Sequence, residues 1–82
     1  MTKLHRLYTE ECAETMVNDF IEHPEWRGPS FTFEKLPDMI MRFTRTQSRL
    51  SFVNIKEHEA NEIGELAREI TNKMLKERGL NN

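Results

Sequence analysis

Three arginines in the middle of the chain have the spacing that phosphate binding requires. Arg42, Arg45 and Arg49 follow one another at i, i+3 and i+7, so they share one face of a helix, called here the arginine face. Hydroxyl and amide side chains lie between them, and no acid occurs between Asp38 and Glu57. Arginines interleaved with such side chains are what phosphate contact or major-groove reading needs.

The arginine face also has a second interpretation, in which the guanidinium groups pair with acids of the other helices or of a second copy. The net charge is −2 and the isoelectric point is about 5.9, which is low for a nucleic-acid module. The glycine expected in a helix-turn-helix turn is missing after the arginines. We therefore expect ion pairing, with acids such as Glu14 or Glu62, and keep nucleic-acid binding as the alternative.

A second candidate site is a connector, residues 24–36, that is rich in aromatic residues. Its two prolines and its glycine break regular structure, yet it also holds four large apolar side chains: Trp26, Phe31, Phe33 and Leu36. These side chains either cover the core from outside or form an exposed patch that binds a partner. Together with the arginine face, Trp26, Phe31 and Phe33 are the predicted partner-binding residues.

Other reactive residue types lack the neighbours that catalysis or metal binding requires. His58 and Glu62 resemble half of a zinc-protease motif, but the second histidine is replaced by glutamate. The acids around Cys12 oppose formation of its thiolate. No glycine-rich phosphate loop and no nucleophile–base set is present. The sequence thus predicts neither an enzyme nor a cofactor or metal site.

Composition indicates one small cytoplasmic domain spanning residues 1–82. The chain is 37% apolar and 32% charged, and no run approaches the roughly 20 apolar residues of a membrane span. A single cysteine excludes an internal disulfide framework. A core of this size is marginal, and five methionines add adaptable apolar surface. We therefore expect a homo-oligomer and no membrane insertion.

Charge is segregated along the chain. Residues 8–25 carry six acids and no lysine or arginine, whereas residues 26–56 carry six basic residues against two acids. A basic middle between acidic flanks favours self-association, or different partners on different faces.

Helical periodicity predicts an all-α bundle of three main helices. The first should run from Glu10 to Glu22, with Thr9 as its cap and residues 1–8 as a lead-in. Pro24 ends it, because the residue before a proline is pushed out of the helical region.

The second helix should run from Pro37 to Arg49, and a continuous helix through residues 50–54 is the competing interpretation. Its predicted apolar face comprises Leu36, Ile40, Phe43, Gln47 and Leu50, with Met39 adjacent.

The last helix has the most complete pattern in the chain. Asn54 is the predicted cap, with Glu57 reaching back to it, and Gly79 should end the helix while Leu80 folds onto Leu75. The apolar stripe comprises Ala60, Ile63, Ala67, Ile70 and Met74. A glycine inside this helix, Gly64, either lets another helix approach closely or is merely tolerated.

Three stripes in so short a chain must cover one another. We expect Ile63, Ile70 and Met74 to be buried against Met16, Phe20 and Phe43.

These features favour a non-enzymatic regulatory protein that acts by protein–protein binding. The length, the methionine-rich helices and the general style of the sequence resemble the small cytoplasmic accessory proteins of T-even bacteriophages, which include the antiholin of the third rapid-lysis locus. The resemblance implies binding to the cytoplasmic part of a holin and delay of lysis. It rests on no residue motif, so it assigns no functional residue.

Overall fold

Three helices form an all-α bundle in a computed structural model that describes residues 1–80 of the chain. The helices are α1 (Lys3–Glu22), α2 (Leu36–Ser51) and α3 (Glu57–Glu77). Two short 3-10 turns, Pro24–Trp26 and Phe33–Lys35, lie in the connector between α1 and α2. The predicted fold class is confirmed.

Side-chain contacts at the helix ends fix the directions of the three helices. The N-terminal ammonium lies 3.8 Å from Glu62, and Arg78 donates to Asn18 at 2.6 Å, so α1 and α3 run parallel. Ser51 lies 3.4 Å from the Tyr8 hydroxyl, so α2 runs antiparallel to both.

The first helix begins at Lys3, and the predicted start at Glu10 with a lead-in before it is wrong. Thr2 is the cap, since its hydroxyl accepts a hydrogen bond from the His5 amide at 3.1 Å. Thr9 lies inside the helix, where its hydroxyl donates to the His5 carbonyl at 2.6 Å. That bond satisfies the hydroxyl and allows a polar residue to be buried.

The start of α3 also differs from the prediction, whereas its end agrees. Asn54 does not cap the helix; it occupies a turn with φ of 69°, a left-handed conformation that asparagine tolerates better than most residues. The Glu59 carboxylate instead accepts from the Lys56 amide at 3.0 Å. At the other end Gly79 has φ of 69° and the Leu80 amide donates to the Leu75 carbonyl at 2.8 Å, which confirms the predicted glycine ending. The turn at residues 52–56 separates α2 from α3, so the continuous helix is excluded.

The core lies where the three helices meet. Its fully buried hydrophobic residues are Ala13, Val17, Leu36, Ile40, Ala60, Ile63, Ala67 and Leu75. The predicted burial of Ile63 is confirmed. Ile70, Met74, Met16 and Phe20 are half-buried and pack against this core.

The predicted burial of Phe43 is wrong. The buried face of α2 is rotated from the predicted one and consists of Leu36, Pro37, Ile40, Thr44 and Ser48. Beside this face α2 comes close to α3: a Cβ built on Gly64 of α3 would lie 3.2 Å from Cγ of Met41 and 3.3 Å from Cβ of Arg45. Gly64 therefore permits close approach of α2 and α3, the first of its two predicted roles.

Candidate protein-binding surface

The connector between α1 and α2 is held in place by Arg27. Its Nε and Nη2 atoms donate to the carbonyls of Phe20 and Ile21 at 2.7 and 3.0 Å, at the C-terminal end of α1. Its guanidinium lies 4.9 Å from the centre of the Phe33 ring, a distance at which a cation–π interaction is favourable. Free carbonyls at a helix end thus receive a cationic donor, and the aromatic segment is tied to the bundle.

Two of the three predicted aromatic site residues pack inward. The Phe31 ring stacks on Phe20 with 5.3 Å between centroids and meets Phe33 edge-on at 5.2 Å. Both phenylalanines are half-buried against the core, as the core-covering interpretation predicts.

Trp26 differs from these two phenylalanines because 55% of it is exposed. Its ring stacks on His23, with 4.1 Å between ring centres, and the other face of the indole remains available. Trp26 also borders a surface depression of about 280 Å³ with Phe20, Phe31 and Met39. The depression joins the connector to the start of α2.

From this depression, apolar side chains continue along the outside of α2. Met39, Phe43 and Leu50 are 39%, 46% and 75% exposed, and their spacing of i, i+4 and i+11 places them on one helix face. Trp26, Met39, Phe43 and Leu50 are called here the apolar strip. Sequence reasoning placed Phe43 and Leu50 in the core, because periodicity identifies an apolar face and does not say which partner covers it.

The arginine face lies beside the apolar strip, and its three members have different environments. Arg49 pairs with Glu57, with Nη2–Oε1 at 2.5 Å and Nε–Oε2 at 3.2 Å. Hydrogen bonding and the charge of Arg49 lower the pKa of the Glu57 carboxyl. Ion pairing is therefore present in the structure, although the acid is Glu57 and neither Glu14 nor Glu62.

The other two arginines have no ion pair within residues 1–80. Arg45 is half-buried against Gly64, and its Nε atom is buried without a hydrogen-bond partner in this part of the chain. Arg42 is exposed, so it is the member of the face best placed to meet an anionic group outside the monomer.

The two borders of the apolar strip have opposite charge. On one side lie the arginine face and, beyond it, α3, which contacts α2 through Met41 and Arg45. On the other side lies α1, whose Phe20 shares the depression with Met39. The outward side of α1 carries three exposed acids, Glu11, Glu14 and Glu22.

A larger groove, of about 750 Å³, lies between the start of α1 and the middle of α3. Its lining mixes Lys3 and Arg6 with Glu62, Glu65 and Glu69. Over residues 1–80, no three His, Cys, Asp or Glu side chains converge as metal ligands. Cys12 is half-buried.

No helix within residues 1–80 combines the length and the apolar character needed to cross a membrane. Comparison of the chain with protein-family models, with curated proteins and with solved structures found no match.

Proposed function

We propose that this is a small regulatory protein that acts by binding another protein through the apolar strip, without catalysing a reaction. The observation that carries the proposal is the row of exposed large side chains that begins at Trp26 and follows α2 to Leu50. Scattered apolar residues are common on protein surfaces, but several large ones on one helix face, beside an exposed tryptophan, are typical of an interaction site.

The residue types of the strip also support a binding role. Tryptophan, phenylalanine, methionine and arginine are enriched in protein interfaces, and tryptophan and arginine often contribute most of the binding energy. Trp26 is held by His23, and the helix holds the backbone of Met39, Phe43 and Leu50. Little backbone ordering is then required on binding, which favours affinity.

The charge beside the strip indicates which partners it favours. Arg42 is exposed along the edge of the strip, so a partner with carboxylates beside its own apolar residues gains ion pairs there. The phage resemblance suggests one specific partner, the cytoplasmic part of a holin, with delay of lysis as the outcome and the cytoplasm as the location.

Site-specific photo-crosslinking tests the proposal. A photoreactive phenylalanine analogue at Phe43 should form an adduct with a protein in the source cell, because this ring lies in the strip. The matched control carries the analogue at Lys73, an exposed residue of α3, and should form no such adduct. The Phe43 adduct should persist after nuclease treatment. No protein adduct from Phe43, or equal adducts from both positions, would contradict the proposal.

The proposal that the partner is a holin is tested by the timing of lysis. Expression of the chain beside a T-even holin should delay lysis, and Phe43→Glu should shorten the delay by removing an apolar contact. Unchanged lysis timing with the wild-type chain would eliminate the holin as the partner and leave the general proposal to the crosslinking result.

A second candidate function is nucleic-acid binding through the arginine face, supported by the exposure of Arg42 and of Thr46 one turn later. Protein binding is preferred because Arg49 is engaged with Glu57 and Arg45 is half-buried. Binding to random duplex DNA and single-stranded RNA at about 50 mM salt decides between them. Micromolar binding that collapses by about 200 mM salt, and that is lost when all three arginines become glutamine, would establish the second candidate.

A further inference from the structure

The two borders of the apolar strip carry opposite charges, so the surface around the strip is complementary to itself. A second copy of the chain is therefore a suitable partner for it. One border is basic because of Arg42, which is exposed and has no ion pair within residues 1–80, and the other border is α1 with its acids. A partner that presents an apolar centre, an acidic border on one side and a basic border on the other would match both at once. The chain itself has this pattern.

Only certain arrangements of two copies bring the opposite charges together. When two strips meet face to face, the two-fold axis relating them runs either along α2 or across it. An axis across α2 places the arginine face of each copy against the arginine face of the other. An axis along α2 exchanges the two borders, so each arginine face meets the partner's α1.

The positions of the helices bring specific residues together in the second arrangement. Tyr8 of α1 is level with Ser51 of α2, and Phe20 is level with Met39, because the helices are antiparallel and these pairs lie near each other. By interpolation, Arg42 is level with residues 15–19 of α1.

Within residues 15–19, one acid lies on the border of the strip. Asp19 follows Tyr8 at i+11, a spacing that returns to the same helix face, and Tyr8 is the α1 residue that reaches α2. Asp19 is half-buried, and its backbone carbonyl caps α1 by accepting from the His23 amide. In the exchanged arrangement its carboxylate is the group available to Arg42 of the partner copy.

We propose that the protein is a two-fold symmetric homodimer in which the α2 helices of the two copies run parallel, with strip against strip. Arg42 of each copy then faces Asp19 of the other. This inference rests on the proposed function and names the strip's occupant as a second copy; a different protein partner competes with that copy for the same surface.

Single-cysteine crosslinking tests the direction of the helices. Cys12→Ser removes the native thiol, and a cysteine is then introduced at Met39, Phe43 or Leu50, with Lys73→Cys as the control outside the strip. In the parallel dimer each strip residue lies near the same residue of the other copy. All three variants should therefore oxidise to disulfide-linked dimers, and the control should not. Met39 and Leu50 lie about 16 Å apart along α2. In an antiparallel dimer, at most one of these positions can be close enough to the same position of the other copy to form a disulfide. Crosslinking at only one of the tested positions would therefore overturn the proposal.

Charge reversal provides an independent test whose sign depends on the arrangement. Arg42→Glu should weaken the dimer at least about tenfold, because a like charge then faces Asp19 of the partner. Asp19→Arg should do the same, and the double variant should recover most of the wild-type affinity. In the antiparallel arrangement Arg42→Glu would relieve repulsion and tighten the dimer, which would contradict the proposal.

Failure of this inference can be distinguished from failure of the proposed function. Sedimentation of the wild-type chain at about 100 μM should show a dimer of twice 9.8 kDa. A monomer there overturns the homodimer, while a heterologous adduct at Phe43 would still uphold protein binding. A parallel dimer without any heterologous adduct at Phe43 supports the homodimer and leaves no second protein at the strip.

Discussion

α2 has two neighbours, and it contacts them in different ways. Toward α3 the contact is close, because Gly64 of α3 has no side chain and lies against Met41 and Arg45, and ion pairs from Arg49 to Glu57 and from Arg68 to Asp38 flank it. On the side of α2 that turns away from α3, Met39, Phe43 and Leu50 are large and remain exposed.

The difference between these two contacts separates stability from binding. Close approach of α2 and α3 depends on the missing side chain of Gly64, whereas Phe43 and Leu50 lie on the exposed side of α2. If the proposal holds, substitutions on the first side change stability and substitutions on the second change binding.

The largest effect is expected from a pair of substitutions on the two faces of α2. Ile40→Ala should lower the free energy of unfolding by about 2–5 kcal/mol, because the side chain is fully buried. Leu50→Ala should change it by less than about 0.5 kcal/mol in the monomer, since this leucine is 75% exposed. Urea titrations at a low protein concentration measure both, and equal costs would show that the two faces are not distinct.

Closing the gap between α2 and α3 should have the next largest effect. Gly64→Val adds branched carbon atoms where even a single Cβ would lie 3.3 Å from the Met41 backbone oxygen. We expect a loss of about 1–3 kcal/mol, the usual cost of overpacking. Gly28→Ala is the control, because nothing lies within 4 Å of a Cβ built there. If thermal unfolding shows Gly64→Val to be as stable as the wild type, the close contact is not essential.

A smaller effect is expected at the connector. Arg27→Ala removes two hydrogen bonds to the end of α1 and the contact with the Phe33 ring. Charge-assisted bonds that are partly exposed contribute modestly, so we expect a loss of about 1–2 kcal/mol. Lys35→Ala breaks one exposed bond to the Ser30 carbonyl and should cost less than about 0.5 kcal/mol. Fluorescence of Trp26 should also change in the first variant and not in the second.

The smallest effect concerns pH and the Arg49–Glu57 pair. The pKa of Glu57 is lowered below 4.5 in the folded chain, chiefly by the hydrogen bond from Arg49. The pair therefore adds stability above that pH, and the contribution disappears as the pH falls through the lowered pKa. Melting temperatures of wild type and Arg49→Gln should differ at pH 7 and converge as the pH falls through the lowered pKa of Glu57. Arg42→Gln breaks no ion pair within residues 1–80. As a monomer, this variant should have the same melting temperature as the wild type across this pH range.

Part of the aromatic connector followed from the sequence and part did not. The predicted connector lies between two helices, because proline and glycine act locally on the backbone, but its last residue, Leu36, belongs to α2. Arg27 joins the Phe33 ring to the end of α1 across six or seven residues of sequence. Local propensities do not include such a contact, so the sequence does not decide between burial and exposure for Trp26 and Phe33.

The helical class, the breaks between helices and the end of α3 follow from the sequence alone, since the prolines and the glycine at position 79 act within a few residues. The predicted caps at Thr9 and Asn54 are wrong, and the start of α1 and the buried face of α2 follow only from the packing of the helices. His5 and Thr9 are buried in the first half of α1, where α3 and Phe52 cover them. Because both residues are polar, the sequence shows no apolar periodicity there, and the first half of the helix is not predicted. Thr44 is buried and Phe43 is exposed because the rotation of α2 is set by its packing on the other helices, which includes the close contact of Met41 and Arg45 with Gly64.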